Sequence, residues 1–258
     1  MKAYFAFFKI ELIQGLHHRA ATFGRFGFYA VILFIFSRLW HVVADKIPLA
    51  MSPGDLIWYL AMTELIILSY PLVHLEIEED VRTGTLAYFI SKPCSYLWSR
   101  YFRALGTVYS RTFVLIFAGL IFSYLFSGGW PTHPKGLLLF LPLAALSIAV
   151  GLIFLVTIGI FSFWIEDSSP LHWVWQKMSF ILGGMMLPLD IYPSWLKKIA
   201  EYSPFSALLY SPAKASITLN YEMALASFSK LIFWGLMAFV FAEFVYRKAV
   251  QQVSYNGG

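Results

Sequence analysis

GLLLFLPLAALSIAVGLIFLVTIGIFSFWI, residues 136–165, carries no formal charge between Lys135 and Glu166. A helix needs about 20 consecutive apolar residues to cross a bilayer. The stretch therefore predicts a membrane helix that is tilted, kinked at Pro142 or extended beyond the lipid. Composition extends that reading to the whole chain: 59% of the residues are hydrophobic and 13% charged, against about 45–50% and 25% in soluble domains. A soluble core of this size cannot bury such an excess, so membrane lipid is the expected surroundings. The formal charge of +5 is scattered among apolar segments and forms no basic face, which argues against a nucleic-acid partner. A single cysteine, Cys94, excludes an internal disulfide framework and a cysteine-based metal site.

The expected fold is all-α and integral to the membrane, with six transmembrane helices at about residues 26–43, 55–75, 107–126, 137–164, 171–187 and 224–246. Breakers such as Pro48, Pro53 and the turn SGGWPTHPKG (127–136) separate them. Residues 1–250 form one domain, and 251–258 read as a polar, disordered tail. Ahead of the first span, residues 3–16 place Phe5, Phe8, Leu12 and Leu16 at helical spacing with Lys2, Lys9, Glu11 and Gln14 between them, an interfacial amphipathic helix. No small-residue cleavage site follows, so this segment does not read as a signal peptide. The fifth span ends in GGMMLPLDIYP, where Gly183, Gly184, Pro188 and Pro193 weaken a regular helix. Two short amphipathic segments follow, divided at Ser203-Pro204. The region is too apolar for a free loop, and a re-entrant hairpin lining a passage is expected.

Six spans put both termini on one side. That side holds Lys2, Lys9, Arg19, Arg25, Arg82, Lys92, Arg100, Arg103, Arg247 and Lys248; the other holds Lys46, Lys135, Lys197, Lys198, Lys214 and Lys230. The bias predicts cytoplasmic termini in a cell membrane. The loop after span two is then cytoplasmic. It reads LEIEEDVRTGTLAYFISKPCSYLWSRYFRALG (75–106), and is either a solvated loop or a docking element. Its LAYFI run argues for docking, because a free loop has no reason to show five apolar residues to water.

Catalytic signatures are missing. The chain has no Gly-Lys pair and hence no phosphate-binding loop, no H-E-x-x-H and no G-x-S-x-G. No metal and no cofactor is expected on this chain. Four ionisable residues fall within spans. Arg111 and Lys177 are near enough to span ends to snorkel. Arg38 and Glu64 lie about 8 and 14 Å deep in the outer half by helical rise, placed to pair structurally or to serve a substrate or proton.

The run Glu79-Asp80-Val81-Arg82-Thr83-Gly84-Thr85-Leu86, followed by Lys92-Pro93-Cys94-Ser95, resembles the acidic, G-T-L and P-x-S segment between spans two and three of ABC-2 type permeases. These are the membrane subunits of ATP-binding-cassette exporters. Gly184, Pro188-Leu189, Tyr192-Pro193-Ser194-Trp195-Leu196 and Ser203-Pro204-Phe205 are similar to the family's passage after span five. The resemblance implies an exporter permease whose 76–106 loop couples to a separate ABC ATPase subunit, with Glu76, Glu79, Asp80, Gly84, Thr85 and Leu86 at the coupling positions. It implies that Gly183, Gly184, Pro188, Pro193 and Pro204 shape a gating hairpin. It further implies a second permease subunit, identical or a sister, with ATP and Mg held by the partner ATPase. The acidic richness of the loop and the Arg38 and Glu64 positions depart from the family pattern. The alternative is a proton-coupled secondary carrier using Glu64 and Arg38, which calls for an internal repeat that is not evident. A membrane enzyme lacks a converging polar constellation, and a membrane anchor leaves the broken fifth span unexplained.

Overall fold

A computed structural model describes residues 2–15, 19–45, 51–90 and 94–256. The breaker Pro48 and the Lys92-Pro93 half of the second-loop motif lie outside them. The described residues are 83% helical, with no strand among them. The helices are α1 (Lys2–Gly15), α2 (Arg19–Ala44), α3 (Pro53–Ser69), α4 (Val73–Arg82), α5 (Thr85–Ile90), α6 (Tyr96–Ser127), α7 (Gly136–Ile160), α8 (Ser169–Ile181), α9 (Ser194–Glu201), α10 (Pro204–Leu208), α11 (Tyr210–Ile217) and α12 (Tyr221–Asn256). Five stretches among the described residues are long and apolar enough to cross a membrane: Gly24–Ala44, Pro53–Arg82, Tyr96–Ser127, Gly136–Phe163 and Tyr221–Gln251.

The centre is α3. Ser52 caps it by accepting from the Asp55 amide at 3.0 Å, with Pro53 at the first helical position. Its span is 78% buried inside the protein, against 22% for those of α2 and α12, as expected of a helix apolar all round. Around it stand α2, α6, α7 and α11. Tyr29 of α2 donates to the Ala61 carbonyl at 2.7 Å, and Trp58 donates to the Gly129 carbonyl at 3.2 Å in the turn after α6. The outward faces of α2 and α12 expose Val31, Ile35, Val42, Phe233, Leu236 and Val240, the surface lipid covers on a membrane helix. Below, the side of the molecule holding α4 and α5 is the near side, and the side holding the 127–135 turn is the far side.

Several boundaries differ from expectation. The second span is interrupted: Pro71 forces Tyr70 into extended backbone, and α4 begins as a separate helix. The third helix starts at Tyr96, eleven residues before 107, because its first three turns pack under α1 rather than in lipid. There Tyr4 stacks on Phe102 at 5.6 Å, and Gly106 leaves room for the α1 backbone: a side-chain carbon on it would lie 2.4 Å from the Phe8 carbonyl oxygen. With Phe5, Ile10 and Ile13 exposed as well, α1 is apolar on two faces rather than amphipathic. Pro142 does not end α7.

The expected fifth span, 171–187, is helical only as Ser169–Ile181. Those 13 residues reach about 20 Å, short of the roughly 30 Å hydrocarbon core, so five rather than six helices meet the length for crossing. Two glycines end it. Finally, α12 continues to Asn256, past the expected start of a tail at 251; Gln251 to Asn256 contain no breaker before Gly257, so nothing stops the helix earlier.

Candidate functional site

Two regions gather the residues singled out by sequence. The first is the near-side pair α4–α5. In α4, Val73, His74, Ile77 and Asp80 are buried while Leu75, Glu76 and Glu79 are exposed, a one-sided pattern of helical period. Thr83 closes α4, its hydroxyl donating to the Glu79 carbonyl at 2.7 Å. Gly84 follows at φ +72°, the left-handed conformation that favours glycine, and the chain turns into α5.

The inner face of α4 is held at two points. Asp80 forms an ion pair with Arg100 of α6 and accepts from the Tyr96 hydroxyl at 2.5 Å; Glu76 lies 3.5 Å from the same guanidinium. Towards α8, Glu78 accepts from the Ser168 amide at 2.7 Å and from its hydroxyl, which places a carboxylate at the start of α8, where the helix dipole favours it. One turn away the rings of His74 and His172 stack at 4.1 Å with 20° between planes.

The expected coupling residues thus divide. Glu79 and Gly84 are exposed, with Glu79 paired to Arg82. Thr85 is partly buried and meets the Thr83 hydroxyl at 2.9 Å. Asp80 and Leu86 are buried in the chain itself, so the 86–90 run does not present Leu86 to a partner; the side chains of residues 87, 88 and 90 lie outside those described. Beside the exposed face is a cavity of about 490 Å³ lined by Glu78, Val81, Arg82, Phe163, Trp164 and Glu166.

The second region follows α8. Gly184, at φ +62°, turns the chain so that its carbonyl accepts from Tyr59 at 2.5 Å, and the next carbonyl, of Met185, accepts from Thr63 at 2.9 Å. Pro188 and Pro193 flank a single 3-10 turn at Leu189–Ile191. Pro204 starts α10 behind the cap Ser203. Gly183, Gly184, Pro188, Pro193 and Pro204 therefore shape one irregular segment docked on α3.

Sequence reasoning missed what pins that segment. Asp190 accepts from Lys214 at 2.7 Å and from Tyr210 at 3.0 Å, with Lys197 at 3.6 Å. A signal was present: Asp190 is the lone acid between Asp167 and Glu201.

Arg38 and Glu64 are not brought together. Arg38 is exposed, its guanidinium 5.4 Å from the Phe34 ring centre, because Tyr29, Leu33, Ser37 and Trp40 take the inward face of α2. Glu64 is buried on α3, and its Oε1 has no hydrogen-bond partner among the described residues. No group of three potential metal ligands occurs among them either.

A comparison with curated proteins finds no match. A family model described as ABC-2 family transporter protein matches residues 56–257, from the first turn of α3 through α12. The matched region holds both candidate regions and four of the five long apolar stretches. The chain thus belongs to the ABC-2 transporter family, as the multi-pass membrane permease component of an ABC transporter rather than a catalyst.

Proposed function

We propose that this permease belongs to an ATP-driven exporter and couples to a separate ATPase subunit through α4–α5. Members of the family normally work with such a partner, and ATP with its Mg ion would be bound there. The observation that carries the reading is the two-sidedness of α4. Glu79, Arg82, Thr83 and Gly84 face outward on the near side, while Asp80, Glu78 and His74 tie the helix to α6 and α8. A partner that moves the outward face moves both.

In this reading α8 and the irregular segment after it together make the sixth crossing, and Gly183 to Pro204 form the re-entrant, gating part of the pathway. The docking of that segment on Tyr59 and Thr63 supports the arrangement, since irregular backbone at membrane depth needs protein partners. Residues 1–250 act as one permease domain. Two permease subunits, identical or related, enclose the pathway. The cation bias puts both termini in the cytoplasm.

A secondary carrier remains the second reading because Glu64 is buried with an unpartnered oxygen, which marks intramembrane carboxylates that handle protons. The outward placement of Arg38 on α2 weakens it. Purification in mild detergent after crosslinking distinguishes the two: the exporter reading expects a stoichiometric ATPase subunit, and a folded preparation without one overturns it.

A further inference from the structure

On the far side, α3, α6 and α7 enclose a cavity of about 450 Å³ whose lining includes Trp58, Met62, Leu65, Ile116, Ser123 and Leu138. A second cavity of about 220 Å³ continues it towards the near side, sharing Leu65, Ile116, Phe140 and Leu141 and reaching Thr112 and Tyr109. Together they form one apolar groove along the helices. None of its features belongs to the coupling element or to the irregular segment.

Its dimensions select an occupant. From Ser123 to Tyr109 on α6 the groove is about 21 Å long by helical rise, and one leaflet with its headgroup region is about 20–22 Å thick. Its helices cross the membrane, and Leu138 and Leu141 on its rim are exposed, so it opens sideways to hydrocarbon. The polar groups are few. Tyr29 is already bonded to Ala61, leaving the fully buried hydroxyl of Ser123, which has no partner among the described residues.

The far end changes character. Trp58 and Trp130 stack at 5.8 Å, Trp130 is exposed, and indoles of this kind sit at headgroup level. Lys135 follows the lining residue Pro134, is exposed, and takes part in none of the ion pairs among the described residues. The nearby carboxylate of Asp55 is taken up by Thr132, with bonds of 2.8 and 2.6 Å. A free cation thus stands where an apolar groove meets the surface.

We propose that this groove binds one acyl chain of an anionic lipid of the far-side leaflet, with the chain between α3, α6 and α7 and the headgroup at Lys135. The inference requires only that the protein spans a membrane and is independent of the exporter reading.

The full chain, reconstituted in nanodiscs, tests it with two phospholipid probes bearing a diazirine on the acyl chain, phosphatidylglycerol and phosphatidylcholine. After irradiation, peptide mapping should find the phosphatidylglycerol label concentrated on Met62, Leu65 and Ile116 over Phe233, Leu236 and Val240 of α12. Ser123→Phe, which fills the groove, should remove that excess. Lys135→Glu lies on the surface and leaves the fold alone. It should weaken labelling by phosphatidylglycerol at least about fivefold and leave phosphatidylcholine unchanged, because loss of the cation alone forfeits an attraction of roughly 1 kcal/mol near a lipid surface and the added anion repels the headgroup. Equal labelling of the groove and α12 would mean annular lipid only and overturn the proposal. So would crosslinks from Leu138 to a second copy in place of lipid, or indifference to Lys135→Glu.

Discussion

The carboxylate of Asp80 on α4 is paired with the guanidinium of Arg100 on α6, in a pocket where both side chains are 11% exposed. The Tyr96 hydroxyl completes it. The pair fixes the near-side element to the helix that packs along α3, so displacement of α4 reaches the centre of the molecule.

Removing one member of a largely buried pair leaves the other charge without a partner, at a cost of about 3–5 kcal/mol. Arg100→Met is therefore expected to lower the melting temperature of the purified protein steeply. Asp80→Asn with Arg100→Met should recover most of that loss. Thermal melts of the two single variants and the double variant read the result.

Gly84 has open space around it, so only its left-handed backbone resists substitution. Gly84→Val should cost about 1–2 kcal/mol locally and misalign α5, reducing stimulation of the partner ATPase while membrane insertion is unchanged. Gly84→Asn, which tolerates the left-handed region, should stay near wild type. ATPase assays with and without the permease check both.

Asp190 ties the irregular segment to Lys214 and Tyr210. Asp190→Asn keeps the size of the side chain and removes the charge facing Lys214, and should cost about 1.5–3 kcal/mol, as the loss of a hydrogen bond to a charged group does. Thermal melts of the purified variant against wild type check it.

The stacked pair His74 and His172 is expected to act by shape. His172→Phe keeps an aromatic ring on His74 and should cost less than about 1.5 kcal/mol, as volume-conserving exchanges do. His172→Arg, which brings a charge to a site where neither ring nitrogen of His172 has a partner, should cost several times more by the same melting assay.

The sequence made the membrane class, the α-helical fold and the order of the elements legible, because apolar runs and Gly/Pro breakers are local signals. Residues 136–160 of the uncharged run became α7, and Thr83-Gly84 became the turn between α4 and α5. Pairings across the fold were not legible. Asp80 read as one of the coupling positions on the docking loop, yet the helical period of α4 carries it inward to Arg100. Arg38 and Glu64 both read as lying in the outer half of their spans, but depth says nothing of the direction each side chain takes around its helix. Span five read long because Met185 to Leu187 are as apolar as a helix, whereas the helix ends at Ile181 and the chain turns at Gly184 with positive φ.

The central claim is that the outward face of α4 meets an ATPase. Its most direct test places a photo-crosslinking amino acid at Glu79 on the near side and, as a control, at Leu225 on α12 at the far side, in cells with the native partners. The account predicts one adduct at Glu79, an ATPase subunit with a phosphate-binding loop, and no such adduct at Leu225. No ATPase adduct at Glu79, or the same adduct at both positions, would contradict it.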